Sequence, residues 1–182
     1  MTEKDIAAAI ERARRGITQY LSIMDLFPNI NASADREFQR RFNGFYRIRQ
    51  RSSEWYETYY TYLENNRNND IVFEDVIDYL NKTLGRYEPS FSSKLAATLN
   101  PNEPIWDKFI LRNTNQRAPS YSAKNKIEQA KEVFQNIREW YAKYLQSEEG
   151  LLVIRTFNNL VPENDRITDL KKVDFVLWQL RD

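Results

Sequence analysis

Lys94 and Asp107 are the residues of this 182-residue chain whose types and spacing point most directly to chemistry. They lie in Ser90-Phe91-Ser92-Ser93-Lys94-Leu95-Ala96-Ala97-Thr98-Leu99-Asn100-Pro101-Asn102-Glu103-Pro104-Ile105-Trp106-Asp107. A lysine near the start of a short apolar helix is followed by a proline-punctuated turn, and an aspartate opens the next helix. Such a connection turns the chain back, so that both side chains can share a cleft. Near a helix N-terminus the dipole disfavours an ammonium, which lowers the amine's pKa and favours nucleophilic attack. An aspartate at a helix start is stabilised as an anion and can hold a developing cation or orient water. The pair also has a plain structural reading, with Asp107 stabilising a first turn and Lys94 on a solvated face between buried Phe91 and Leu95.

Two zeros narrow the chemistry further: the chain has no His and no Cys. Ser-His-Asp and Cys-His catalysis, His- or Cys-ligated zinc, iron–sulfur clusters, disulfides and redox thiols are excluded. Acid–base or nucleophilic work falls to Asp, Glu, Lys, Tyr, Ser, Thr or a terminus. Asp75 and Asp78 can meet at i, i+3 but lack a third ligand, so a solvated face is expected there, with no metal and no other cofactor. No Walker A, G-x-G-x-x-G or G-x-S-x-G motif occurs.

Lys+Arg number 27 and Asp+Glu 26, a net charge of +1, so recognition of a polyanion must rest on local clustering. Two basic runs qualify. Arg36, Arg40, Arg41, Arg47, Arg49 and Arg51 are interleaved with Phe38, Phe42, Phe45 and Tyr46, and Lys108, Arg112, Arg117, Lys124 and Lys126 meet no acid between Asp107 and Glu128. Cations among aromatics suit a nucleic-acid groove; a solvated helix face above a phenylalanine core explains the same spacing. Trp55-Tyr56-Glu57-Thr58-Tyr59-Tyr60-Thr61-Tyr62 is aromatic all round, as in a helix sandwiched between two layers or one presenting a partner-binding surface.

The elements that must position these residues are helical. Only 4 Gly and 6 Pro occur, and apolar residues recur at helical spacing. The first helix is expected from about Thr2 to Asp25, with Ile6, Ile10, Ala13, Ile17, Tyr20 and Met24 inward. A second helical region, from Ser33 or Asp35 to Glu64, is weakened by Gly44 and Ser52-Ser53 and is readable as two helices. Short helices follow at about 73–84, 90–99 (Ser90 as N-cap) and 104–113, then a loop over 112–121. Long ones occupy 122–146 and 148–160, and a last one begins near Thr168. The result is an all-α fold of seven to nine helices, a single domain over 1–182 divisible into a short-helix lobe (about 70–115) and a long-helix lobe (1–69 plus 116–182). Thr2-Glu3-Lys4-Asp5 opens no apolar core and the longest aliphatic run is Leu151–Ile154, so a cytoplasmic protein without membrane spans is expected.

The segment carrying Lys94 and Asp107, within residues 73–113, remotely resembles the helix-hairpin-helix DNA glycosylase superfamily. In that family a catalytic Lys lies in the hairpin's second helix, and a catalytic Asp follows a loop near the next helix start. Lys94 and Asp107 look like those positions, and Pro104-Ile105-Trp106-Asp107 looks like the apolar approach to the aspartate. The chain has Tyr87-Glu88-Pro89-Ser90-Phe91-Ser92-Ser93 in place of the hairpin glycines, and Phe109 where the family usually has His. The resemblance implies a base-excision repair enzyme that flips a damaged base into an aromatic pocket. Asp107 would stabilise the sugar cation and Lys94 would attack the sugar carbon to form a Schiff base. Ser90, Ser92 and Ser93 would replace the hairpin as phosphate contacts, and Arg40, Arg41, Arg47 and Lys108 are further candidates for contacts to DNA. The alternative from another class is a non-enzymatic protein–protein interaction module using Trp55–Tyr62.

Overall fold

The computed structural model describes residues 1–180, which form nine α-helices. They are α1 (Glu3–Leu26), α2 (Arg36–Tyr46), α3 (Ser53–Asn65), α4 (Phe73–Leu84), α5 (Pro89–Leu99), α6 (Lys108–Asn113), α7 (Lys126–Tyr144), α8 (Glu148–Leu160) and α9 (Asp169–Leu177). The all-α expectation holds, and among the described residues no helix is long and apolar enough to cross a membrane.

Local chemistry sets where the helices begin. Thr2 and Asp5 form a capping box at α1, and Asp35, Ser52, Ser147 and Thr168 cap α2, α3, α8 and α9 with side-chain oxygens. Each satisfies an amide that the helix leaves unpaired, worth about 1 kcal/mol. The α1 stripe is buried as expected from Ile6 to Tyr20, but Ile23 rather than Met24 continues it into the core. This helix packs on α2, α8 and α9.

The second region divides in two, and the break falls later than Gly44. Arg47 ends α2 in the left-handed conformation (φ 55°), its amide bonding the Asn43 carbonyl, and Ser52 then starts α3. A non-glycine residue there costs roughly 1–2 kcal/mol, so the fold holds Arg47 against a local preference. Trp55, Tyr59, Tyr60 and Tyr62 are buried, with the Phe42 ring 5.7 Å from that of Tyr60 and Trp55 stacked 4.7 Å from Tyr59. Most rings of the aromatic helix are therefore sandwiched in the core, while Tyr56 is half-buried and Glu57 exposed.

Three boundaries move. Pro89, not Ser90, opens α5, following Glu88 as N-cap. Asp107 is the cap of α6, so Pro104 lies in the turn before it. Ser122 sits in a turn bonded to Ser120, and α7 begins at Lys126. Helices α4 and α5 are joined by only Gly85-Arg86-Tyr87-Glu88 and pack together, with Gly85 left-handed at φ 64°. The buried side chains form one cluster running from Ile6 to Leu177.

Gly150, in the first turn of α8, is the tightest backbone approach. A Cβ there would stand 1.9 Å from the Tyr144 carbonyl oxygen and 2.8 Å from its carbon, atoms held by the end of α7. Gly150→Ala is expected to destabilise the protein by about 3 kcal/mol, the upper part of the overpacking range. That corresponds to roughly 6–12 °C in Tm; a thermal melt within about 1 °C of wild type would refute the close approach.

Candidate active-site cleft

Four separate stretches of chain meet around a cleft of about 270 Å³. The end of α2 supplies Phe45, Tyr46 and Arg47; α5 supplies Phe91 and Lys94. The start of α6 supplies Asp107, Lys108 and Phe109, and α9 with the residue after it supplies Lys171, Asp174 and Trp178. The walls are mostly apolar, and the charged groups project into them. The residues expected to meet, Lys94 and Asp107, do line this one space.

Lys94 is the sixth residue of α5, past its first turn, so the helix dipole is not what tunes it. Its Nζ donates to the Tyr46 carbonyl at 3.1 Å and lies 4.8 Å from the Phe91 ring centre. Burial pulls its pKa down to about 8; Arg47 nearby adds to the effect and Asp107 opposes it. The solvated-face alternative is thereby replaced by an amine lining the cleft whose neutral form is favoured by burial.

Asp107 caps α6 through Oδ1, which accepts from the amides of Phe109 (2.8 Å) and Ile110 (2.9 Å). Burial pushes its pKa above the ordinary aspartate value, and Asp174 adds to this, while those two amides and Lys94 pull the other way. Among the described residues no ion pair joins Lys94 to Asp107, although each feels the other's charge.

Two functional-site residues escape the sequence reading. Lys171 and Asp174 are only 3% and 6% exposed, paired Nζ to Oδ2 at 2.6 Å, and Asp174 also accepts from the Tyr141 hydroxyl. They share their i, i+3 spacing with Asp169 and Lys172 on the same helix, so spacing alone does not single them out. Lys171 is paired to a carboxylate of its own helix, whereas Lys94 and Lys108 on the same cleft are ion-paired to no described carboxylate.

The remaining candidates separate. Arg47 and Lys108 line the cleft, the Arg47 guanidinium lying 5.2 Å from the Trp178 ring centre. Arg40 and Arg41 do not; both bind Glu37, and Arg41 also donates to Ser22. Ser92 and Ser93 are corrected outright. Both are fully buried: the Ser92 hydroxyl donates to the Glu88 carbonyl, and Ser93 bridges the Ser90 carbonyl and the Trp106 amide. The helix start gives Ser90 little help as a phosphate contact. Pro89 has no amide, those of Phe91 and Ser92 are spent on the Glu88 carbonyl, and the Glu88 carboxylate stands at the same end.

Comparison with family models, curated proteins and solved structures gives no match.

The site carries a stability signature. An amine whose pKa falls on folding opposes folding when protonated, fully below about pH 8 and not at all above its ordinary value of 10.5. Lys94→Met is therefore expected to stabilise the protein at pH 7 by about 1 kcal/mol, roughly 2–4 °C in Tm. The gain should fade as pH rises from 8 toward 10.5. A loss of stability at pH 7 would show instead that the ammonium is a structural group.

Proposed function

We propose that the chain is a DNA glycosylase with an amine-nucleophile (lyase-type) mechanism, acting on a base flipped into the Lys94–Asp107 cleft. The observation that carries the proposal is one amine of lowered pKa and one carboxylate, not ion-paired to each other, in an apolar pocket with a cationic mouth. An enclosure walled by Phe45, Phe91, Phe109 and Trp178 suits a planar heterocycle. Arg47 and Lys108 at the cleft match the phosphates flanking it. The α4–α5 pair, joined by four residues with Lys94 on the second helix, is consistent with the resemblance to helix-hairpin-helix glycosylases.

The chemistry follows from the two groups. The Lys94 lone pair attacks C1′ of the deoxyribose as the C1′–N bond breaks, its electron pair leaving with the base. Positive charge builds on the sugar ring beside the Asp107 carboxylate, which stabilises it in a setting where water does little screening. The amine gives up a proton to the departing base. Ring opening then breaks C1′–O4′, O4′ leaving as the 4′-hydroxyl with a proton from solvent while the nitrogen lone pair forms the C=N bond, which gives a protonated imine between Lys94 and C1′. Lys171–Asp174 keeps a second lysine out of the reaction and adds its field to that of Asp107.

Borohydride reduction tests this on duplexes carrying either a set of damaged bases or an abasic site. Wild type should become covalently trapped, Lys94→Ala should not, and Asp107→Asn should lower the rate of base release about 10²–10³-fold. The rate should climb between pH 6 and 8, as the amine with a pKa of about 8 loses its proton, and then level. Unchanged trapping in Lys94→Ala would remove Lys94 as the nucleophile.

A further inference from the structure

Beside the cleft runs a second groove whose charged lining residues, among those described, are all arginines. One wall is a face of α1 carrying Arg12, Arg15 and Gln19, positions three and four residues apart that project together. The other is the segment around Gly44, with Arg47 and Arg49. Among the described residues no carboxylate lines it. Arg12, Arg15, Arg47 and Arg49 are exposed, and none is ion-paired to a described carboxylate; Arg12 donates only to the Gln179 carbonyl, at 3.4 Å. Arg40 and Arg41, on the neighbouring face of α2, are neutralised by Glu37. The four groove arginines keep their charge undiluted.

The floor is open. A Cβ on Gly44 would meet nothing within 4 Å, and one on Gly16 would reach ordinary contact with Phe175 at 3.8 Å. The groove is also continuous with the cleft, since Phe45, Arg47 and Trp178 belong to both. Arg47, held left-handed at the end of α2, stands at the junction with its guanidinium over Trp178.

We infer that this groove is a binding track for the phosphodiester backbone of a DNA strand, feeding one nucleotide into the cleft. The inference rests on the nucleic-acid reading of the cleft, with which it shares a border. Four guanidiniums spread over two facing walls, none paired to a described carboxylate, match a polyanion better than a single small anion, and guanidiniums bind phosphate oxygens in bidentate fashion. With no base-reading group required, the track is indifferent to sequence. It lies on α1 and the end of α2 and not at the α4–α5 turn, where Glu88 stands and the first-turn amides are already bonded.

The test is binding of a fluorescent duplex, damaged or intact, across a salt series starting near about 50 mM. Arg12→Ala/Arg15→Ala should weaken binding and make the slope of log K against log salt shallower by about 0.9 for each arginine removed. Arg12→Lys/Arg15→Lys should restore most of that slope, and Lys124→Ala/Lys143→Ala, which removes two exposed charges elsewhere, should leave it unchanged. Circular dichroism checks that each variant is folded. An unchanged slope in the double alanine variant overturns the track, as does an equal loss in the Lys124/Lys143 control. Anionic phosphatidylserine vesicles that displace the duplex at equal phosphate concentration would reassign the groove to a membrane surface. The cleft fails separately: arginine-dependent binding with no borohydride-trapped adduct would retain the track and reject the Lys94 chemistry.

Discussion

The constraint on which the site depends is the burial of α9. From Leu170 to Leu177 every residue of that helix is buried, Lys171, Lys172 and Asp174 included. A helix closed in by α1, α6 and α8 has no solvated face on which to leave its charges. They must be matched where they stand, and Lys171 with Asp174 and the Tyr141 hydroxyl does so. Such a network adds little net stability against an apolar replacement, because desolvation offsets most of the attraction. Its structural effect is to fix a charged wall behind Asp107 and to hold α9 in one register. Everything at the cleft is measured from that wall.

The Lys94 amine and the α2 terminus complete the same arrangement from the other side. The ammonium has one carbonyl and one ring for company, and Arg47 is held in a backbone conformation that ordinarily favours glycine. Both are local choices that folding alone disfavours. They occur within one cleft, together with a carboxylate pushed upward by burial. Unfavourable local choices that converge on one cavity are the physical mark of a site where function and stability compete.

How much of this could be read from sequence depends on whether the signal is local. The α1 stripe, the helix starts near Thr2 and Thr168, and the sandwiched aromatics of α3 follow from residue spacing within one element. Lys94 and Asp107 were legible for a related reason: a short helix, a proline-rich turn and a capping aspartate bring their neighbours together without help from the rest of the chain. Ser92 and Ser93 were misplaced because a serine's preference for surfaces yields when its hydroxyl can bond a carbonyl of the preceding turn. Lys171 and Asp174 were invisible because charged residues default to solvent, and only the packing of three other helices buries both faces of α9. The α1 arginines were overlooked for a third reason. Arg12 and Arg15 gain meaning only when residues 44–49 lie opposite them, a contact between distant parts of the chain.

Asp107 has a consequence of its own. Its carboxylate is tethered by the amides of the helix it begins, so it cannot swing toward or away from the amine as a freely rotating side chain would. The interval between anion and cation is therefore set by how α5 and α6 are joined, through the Ser93 hydroxyl that receives the Trp106 amide at 2.8 Å. A buried serine ties the two helices together beside the cleft. The geometry of this end of the cleft is thus settled when the chain folds.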